Sequence, residues 1–154
     1  MHNFKDSLAK GKSIEEKLDI FFSQWYDIEG ATLAQERQYG FDRLFYRNGT
    51  IKTVEYKADY WTARTGNIFI ELEVQGKSGW ARKTIADYII YSVIVNNEVD
   101  YVLIVPNSYL KEKLPDWEQL EKKVIQNAGF SGVGVLVNIN DLDYNIVKIK
   151  KVKK

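Results

Sequence analysis

The sequence predicts a single α/β domain in which helices flank a mixed β-sheet. The order is helix, three strands, helix, strand, then a C-terminal helix and two strands. Three observations predict it. Ile14, Leu18, Phe21, Phe22 and Trp25 recur at spacings of three and four, the stripe of a helix that packs on a core. Strand-like alternation follows and is broken by Asn48-Gly49, a pair that favours a tight type I′ hairpin turn. The run "VDYVLIVP" is short and almost wholly apolar, as in a strand covered on both faces.

Bulk composition narrows the chemistry. At 154 residues and 45% hydrophobic, the chain can bury a sufficient core as one domain, residues 1–154, without staples. It has no cysteine, which excludes disulfides, thiolate zinc and cysteine nucleophiles and fits a reducing compartment. The one histidine is His2, so any metal chemistry must use oxygen ligands. No apolar run approaches a membrane span, and "MHNFKDSLAKGKS" lacks the apolar core of a signal peptide. A cytoplasmic protein with no membrane partner is expected. With 22 basic against 21 acidic residues, any nucleic-acid-binding surface must be local.

The elements follow in order. Ser13-Ile14-Glu15-Glu16 reads as a capping box, so the first helix starts at Ser13 and runs to about Tyr26. From Ala31 to Asp59 alternation predicts two strands around the Asn48-Gly49 turn. "NIFIELEV", Asn67 to Val74, adds a third to the same antiparallel sheet, with Ile68, Ile70, Leu72 and Val74 on one face. Ala81 to about Val95 fits a buried helix. Pro115 opens a helix over "PDWEQLEKKVIQNAG" that Gly129 closes. "GVGVLVNI" and "NIVKIKKV" close the chain as strands, the lysines of "KIKKVKK" reading as protection of an edge, with a phosphate-binding tail as the alternative.

The hairpin carries the chemistry. A two-residue loop sets Arg47 opposite Thr50, which carries Asp42 opposite Glu55. Opposed side chains have β-carbons about 5 Å apart, and like charges there destabilise the pair. A hard divalent cation such as Mg²⁺ resolves the repulsion, binding through one or two carboxylates, waters and phosphate oxygens. Lys57 lies on the same face as Glu55, about 7 Å further along. There an ammonium can orient an attacking water or stabilise charge on a phosphate. Asp42, Glu55 and Lys57 thus suggest metal-assisted hydrolysis.

These residues resemble the PD-(D/E)XK nuclease superfamily, whose signature is an acid on one strand and Glu-x-Lys on the next. Asp42 in "YGFDRLF" and Glu55-Tyr56-Lys57 in "VEYKAD" match it. In members such as the Holliday-junction resolvases, the first helix carries a glutamate after Gly-x-x-apolar; "GKSIE", Gly11 to Glu15, has that spacing. "KADYWTARTGNIFIELE" and "GKSGWARKTIADY" are similar to segments of phage-type small nucleases. No proline precedes Asp42, and Arg43 stands where many members have an apolar residue. The resemblance covers roughly Gly11 to Pro106. It implies a restriction endonuclease-like core and a Mg²⁺- or Mn²⁺-dependent nuclease acting on DNA. Asp42, Glu55, Glu15 and the Tyr56 carbonyl are the implied metal ligands, and Lys57 positions the water. A homodimer is compatible with this, because enzymes that cut two strands symmetrically are often dimers.

Around this site, Tyr60, Trp61 and Arg64 could stack on bases or touch phosphates; a hydrophobic lid over the core edge is the competing role for Trp61. Lys77, Arg82 and Lys83 suit backbone phosphates, or simply a solvated basic turn. Glu71 and Glu73 read as surface charges able to pair with Lys57 or Lys52, with Glu71 a candidate support for the metal. Asp87 is either a helix-surface residue or a hydrogen-bonding anchor for the preceding loop. A non-catalytic binding module of the same fold is the other functional class. A retaining glycosidase fits less well, because Lys57 would lower the carboxyl pKa that such an enzyme must raise.

Overall fold

The computed structural model describes residues 4–127 and 130–152. A six-stranded sheet runs in the order β1 (Asp27–Gly30), β2 (Arg43–Arg47), β3 (Thr50–Asp59), β6 (Tyr88–Val95), β7 (Glu98–Pro106), β10 (Lys148–Lys151). A four-stranded sheet runs β5 (Lys77–Ser78), β4 (Asn67–Val74), β9 (Phe130–Asn138), β8 (Lys122–Asn127). Helix α1 (Phe4–Phe22) packs on one face of the large sheet, through Ile14, Leu18 and Phe22 against Phe45, Val54, Tyr56 and Ile90; α2 (Leu33–Tyr39) lies between β1 and β2, and the single turn α3 (Thr62–Thr65) between β3 and β4. The small sheet and α5 (Asn107–Trp117) pack on the other, through Ile70, Leu72, Leu110 and Val135 against Ile89, Tyr91 and Leu103. The mixed α/β architecture is as expected: β3 and β6 are parallel, while the other neighbours in the large sheet are antiparallel. No helix among the described residues is long and apolar enough to cross a membrane.

Burial on both faces explains the main correction. The segment expected to be a helix from Ala81 to Val95 is one turn, α4 (Trp80–Lys83), followed by strand β6. Ile89 to Ile94 are all buried. A strand covered on both sides loses its alternation, and its continuous apolar run is then indistinguishable from a buried helix. Its β-branched residues, Ile89, Ile90, Val93, Ile94 and Val95, suit the strand.

Three more expectations change. The helix expected over 115–129 is instead the end of α5, with Pro115 inside it, followed by edge strand β8; Gly129, its expected stop, lies outside the described residues, as do His2 and the last two lysines. The residues from Lys122 to Asn127 gain a ladder against β9, which outweighs their helix-compatible composition. Ser13 does not cap α1, which begins at Phe4 and passes through it; the helix ends at Phe22 rather than Tyr26. Finally, Ala31 to Asp59 is not all strand: α2 (Leu33–Tyr39) interrupts it. Its signal was legible. Thr32 and Gln35 form a reciprocal capping box, and Gly40 closes the helix in the left-handed conformation.

Of the expected inward face of β4, Ile68, Ile70 and Leu72 are buried and Val74, beyond a register shift at Glu71/Glu73, is half-buried; the strand belongs to the second sheet rather than extending the hairpin sheet. The approach of β9 to β4 depends on Gly134. A β-carbon there would sit 2.3 Å from the Ile70 carbonyl oxygen and 2.6 Å from the Phe69 ring.

Candidate active site

The hairpin forms in the expected register. Asn48 and Gly49 both have positive φ, 49° and 76°, as a type I′ turn requires. The ladder runs from Arg47 opposite Thr50 to Arg43 opposite Val54. The paired ladder ends there, one residue short of Asp42 and Glu55; the Asp42 N–H donates to the Val54 carbonyl at 2.8 Å, and the Asp42 charge reaches the Glu55 carboxylate. The Asp42 Oδ2 accepts the Tyr56 N–H at 2.7 Å. The carboxylate thereby replaces the strand partner that β3 lacks at this point on its β2 side, β6 being paired on the other. The Tyr56 carbonyl faces the same side as its N–H, beside Asp42, by the alternation of the ladder.

Glu55 is 6% exposed. Its Oε1 lies 3.3 Å from Lys57 Nζ, whereas Oε2 is buried with no hydrogen-bond partner. Thr84 stands close enough to favour the ionised form, but its hydroxyl proton goes to the Gly40 carbonyl at 2.8 Å. Burial raises the Glu55 pKa first of all; Lys57 and Thr84 offset part of this, and Asp42 adds to it. Burial likewise raises the Asp42 pKa, against the Tyr56 N–H, Lys57 and Arg43. Lys57 therefore acts on both acids. Its ammonium also stands 5.7 Å from the Trp80 ring.

Glu15 and Asp19, one turn apart on α1, approach from the opposite face of the sheet. Burial raises the Glu15 pKa, with Asp42 the next cause, so the helix glutamate does fall within electrostatic reach of the hairpin acid. Its ion-pair partner is nevertheless Arg43, at 3.7 Å. Asp19 was not singled out in the sequence, although its spacing from Glu15 placed it on the same helix face. It accepts from Arg43 Nε at 3.0 Å and from the Tyr56 hydroxyl at 2.8 Å. Arg43 is thus held between two helix carboxylates and ties α1 to β2.

Among the described residues, no three acidic or histidine side chains gather closely enough to hold a metal ion. The pair Asp42 and Glu55 is better suited. Asp42 and Glu55 supply hard oxygen donors, one buried Glu55 oxygen has no partner, and Mg²⁺ characteristically keeps several waters beside one or two carboxylates. Glu15 pairs with Arg43 instead of completing the set.

The flanking candidates separate. Tyr60 and Trp61 are exposed, Trp61 at 62%, and the Arg64 guanidinium lies 4.5 Å from the Trp61 ring centre. The lid role for Trp61 is therefore not adopted. Asp59, another residue not foreseen, fixes this loop: its carboxylate accepts the N–H groups of Trp61 and Thr62 at 2.7 and 2.9 Å and the Tyr91 hydroxyl. Lys77 and Lys83 are exposed. Arg82 is committed to Glu118 at 3.0 Å and Glu73 at 3.4 Å, so Glu73 does not pair with Lys57 or Lys52. Glu71 accepts the Trp80 N–H at 3.3 Å and holds α4. Asp87 anchors its loop, accepting from the Thr53 N–H at 2.9 Å and donating its own N–H to Thr53. Lys111 on α5 donates to the Ala81 and Arg82 carbonyls; burial lowers its pKa, and the Glu55 charge partly restores it. No local pattern in the sequence marked Lys111.

Comparison with known protein families, curated proteins and solved structures gave no significant match to this chain.

Proposed function

We propose that this protein is a Mg²⁺- or Mn²⁺-dependent nuclease with a restriction endonuclease-like core, hydrolysing phosphodiester bonds in DNA. One observation carries it: a buried Glu55 with one oxygen on Lys57 and the other unpartnered, within electrostatic reach of Asp42. Burying a carboxylate with an unsatisfied oxygen costs stability, and a cation ligand position is a physical reason for the arrangement to persist. Asp42, Glu55 and the Tyr56 carbonyl would hold the ion. Such an ion, when bound, polarises a phosphate and lowers the pKa of its water. Lys57, in reach of both acids, would orient the water and stabilise charge on the phosphate, and Glu15 would tune the Asp42 charge from across the sheet. Trp61 and Arg64 would stack on or touch the nucleic acid, with Lys77 and Lys83 at phosphates.

The test is cleavage of labelled duplex, branched and single-stranded DNA with Mg²⁺, Mn²⁺ or EDTA. Metal-dependent cutting by wild type that is lost in Glu55→Gln and Lys57→Ala, both verified as folded, supports the proposal. A second possibility, a non-catalytic DNA-binding module, is favoured by the Asp42 oxygen spent on Tyr56 and by Glu15's pairing with Arg43. Salt-sensitive DNA binding with no cutting under any metal would select it.

A further inference from the structure

On the α1 side of the large sheet, away from Glu55 and Lys57, lies a hollow of about 440 Å³. It lies beside the end of α1, whose last residue, Phe22, lines it. Its floor is formed by Phe45, Val54 and Ile90, and Tyr26 stands at its wall. Arg47 and Lys52 share the rim. Arg47 pairs across the hairpin with Thr50 and Phe45 with Lys52, so the two cations are diagonal neighbours on one face, with β-carbons about 7–8 Å apart. One anionic group can meet both.

Charge decides what the hollow suits. Among the described residues no acidic side chain lines it, and neither Arg47 nor Lys52 makes an ion pair with a carboxylate. Arg47 instead lies 5.8 Å from the centre of the Tyr26 ring. Two uncompensated cations above an apolar, aromatic floor complement a molecule with a planar apolar body and one anionic group. The volume falls within the range of small-molecule sites, about 300–1,000 Å³. We infer that this hollow binds a small aromatic anion, a phosphate or carboxylate on a planar ring system, with Arg47 and Lys52 on the anion and the ring over Phe45, Val54 and Ile90.

Titration calorimetry on the full chain with 2-naphthyl phosphate, 2-naphthoate, 2-naphthol and inorganic phosphate tests it. Both aromatic anions should bind one to one, the tighter of them naming the anionic group. Inorganic phosphate alone should not bind, and naphthol should bind more weakly. Arg47→Gln/Lys52→Gln should weaken anion binding at least about tenfold. Thr50→Trp, at an exposed rim position, should block the hollow without touching the core. No saturable binding by protein with native near-ultraviolet circular dichroism would overturn the inference, as would equal affinity for naphthol or unchanged affinity in both variants. The assay contains neither metal nor DNA, so its failure is separate from failure of the nuclease proposal.

Discussion

The Asp42 Oδ2 accepts the Tyr56 backbone N–H at 2.7 Å, where β2 has ended and β3 continues with β6 as its one strand neighbour. The same carboxylate is therefore a strand-edge cap and a proposed metal ligand, and the roles can be separated. Asparagine keeps an acceptor and removes the charge; alanine removes both. Asp42→Asn should be more stable than Asp42→Ala by about 1–2 kcal/mol, the cost of an unpaired buried N–H. Both should lack nuclease activity. Equal urea midpoints and slopes for the two would rule out the cap.

Glu55 offers a pH test. Its folded pKa lies above the ordinary 4.5, mainly through burial. The stability linked to its proton is fully present below the unfolded value and is lost as pH rises through the folded one. At neutral pH the ionised carboxylate thus burdens the fold. Glu55→Gln should melt above wild type there, and the gap should shrink as pH falls through the folded pKa. Melting curves showing a gap independent of pH would remove this explanation.

Metal binding can be read without catalysis. A ligand bound only by the folded state at about 100 times its Kd stabilises by about 2.7 kcal/mol. Saturating Mn²⁺ should raise the melting temperature of wild type and leave Glu55→Gln unmoved. A rise of the same size in both would place the ion elsewhere.

The Trp61 loop hangs on Asp59. Asp59→Ala strands two backbone N–H groups and the buried Tyr91 hydroxyl, and should cost about 3 kcal/mol. Trp61→Ala, on an exposed ring, should change stability by no more than about 0.5 kcal/mol while weakening DNA binding. Chemical denaturation and a gel-shift series check the pair. A destabilising Trp61→Ala would return that ring to a core-covering role.

Gly134→Ala should loosen the small sheet. A methyl 2.3 Å from the Ile70 carbonyl oxygen can be accommodated only by moving β9 from β4, at a cost of about 1–3 kcal/mol. Hydrogen exchange should then accelerate in β4 and β9 first, and unchanged protection there would contradict the close approach.

Local signals sufficed where local physics governs. Asn48-Gly49 specifies its own turn, and the turn fixes the register, so the ladder from Arg47 opposite Thr50 to Arg43 opposite Val54 followed from the sequence before any coordinate. The helical stripe of Ile14, Leu18 and Phe22 was legible through its periodicity, and strand β7 through a short apolar run ended by Pro106. The capping box of α2 was also written in Thr32, Gln35 and Gly40, though obscured by the surrounding alternation. The rest depends on long-range packing. Residues 88–95 become a strand because two layers cover them, and residues 122–127 because β9 offers a ladder. The same packing brings Asp19 to Arg43 and Tyr56, and Lys111 to the carbonyls beside Glu55. Periodicity encodes which face of a segment is buried; it carries no record of the partner that buries it.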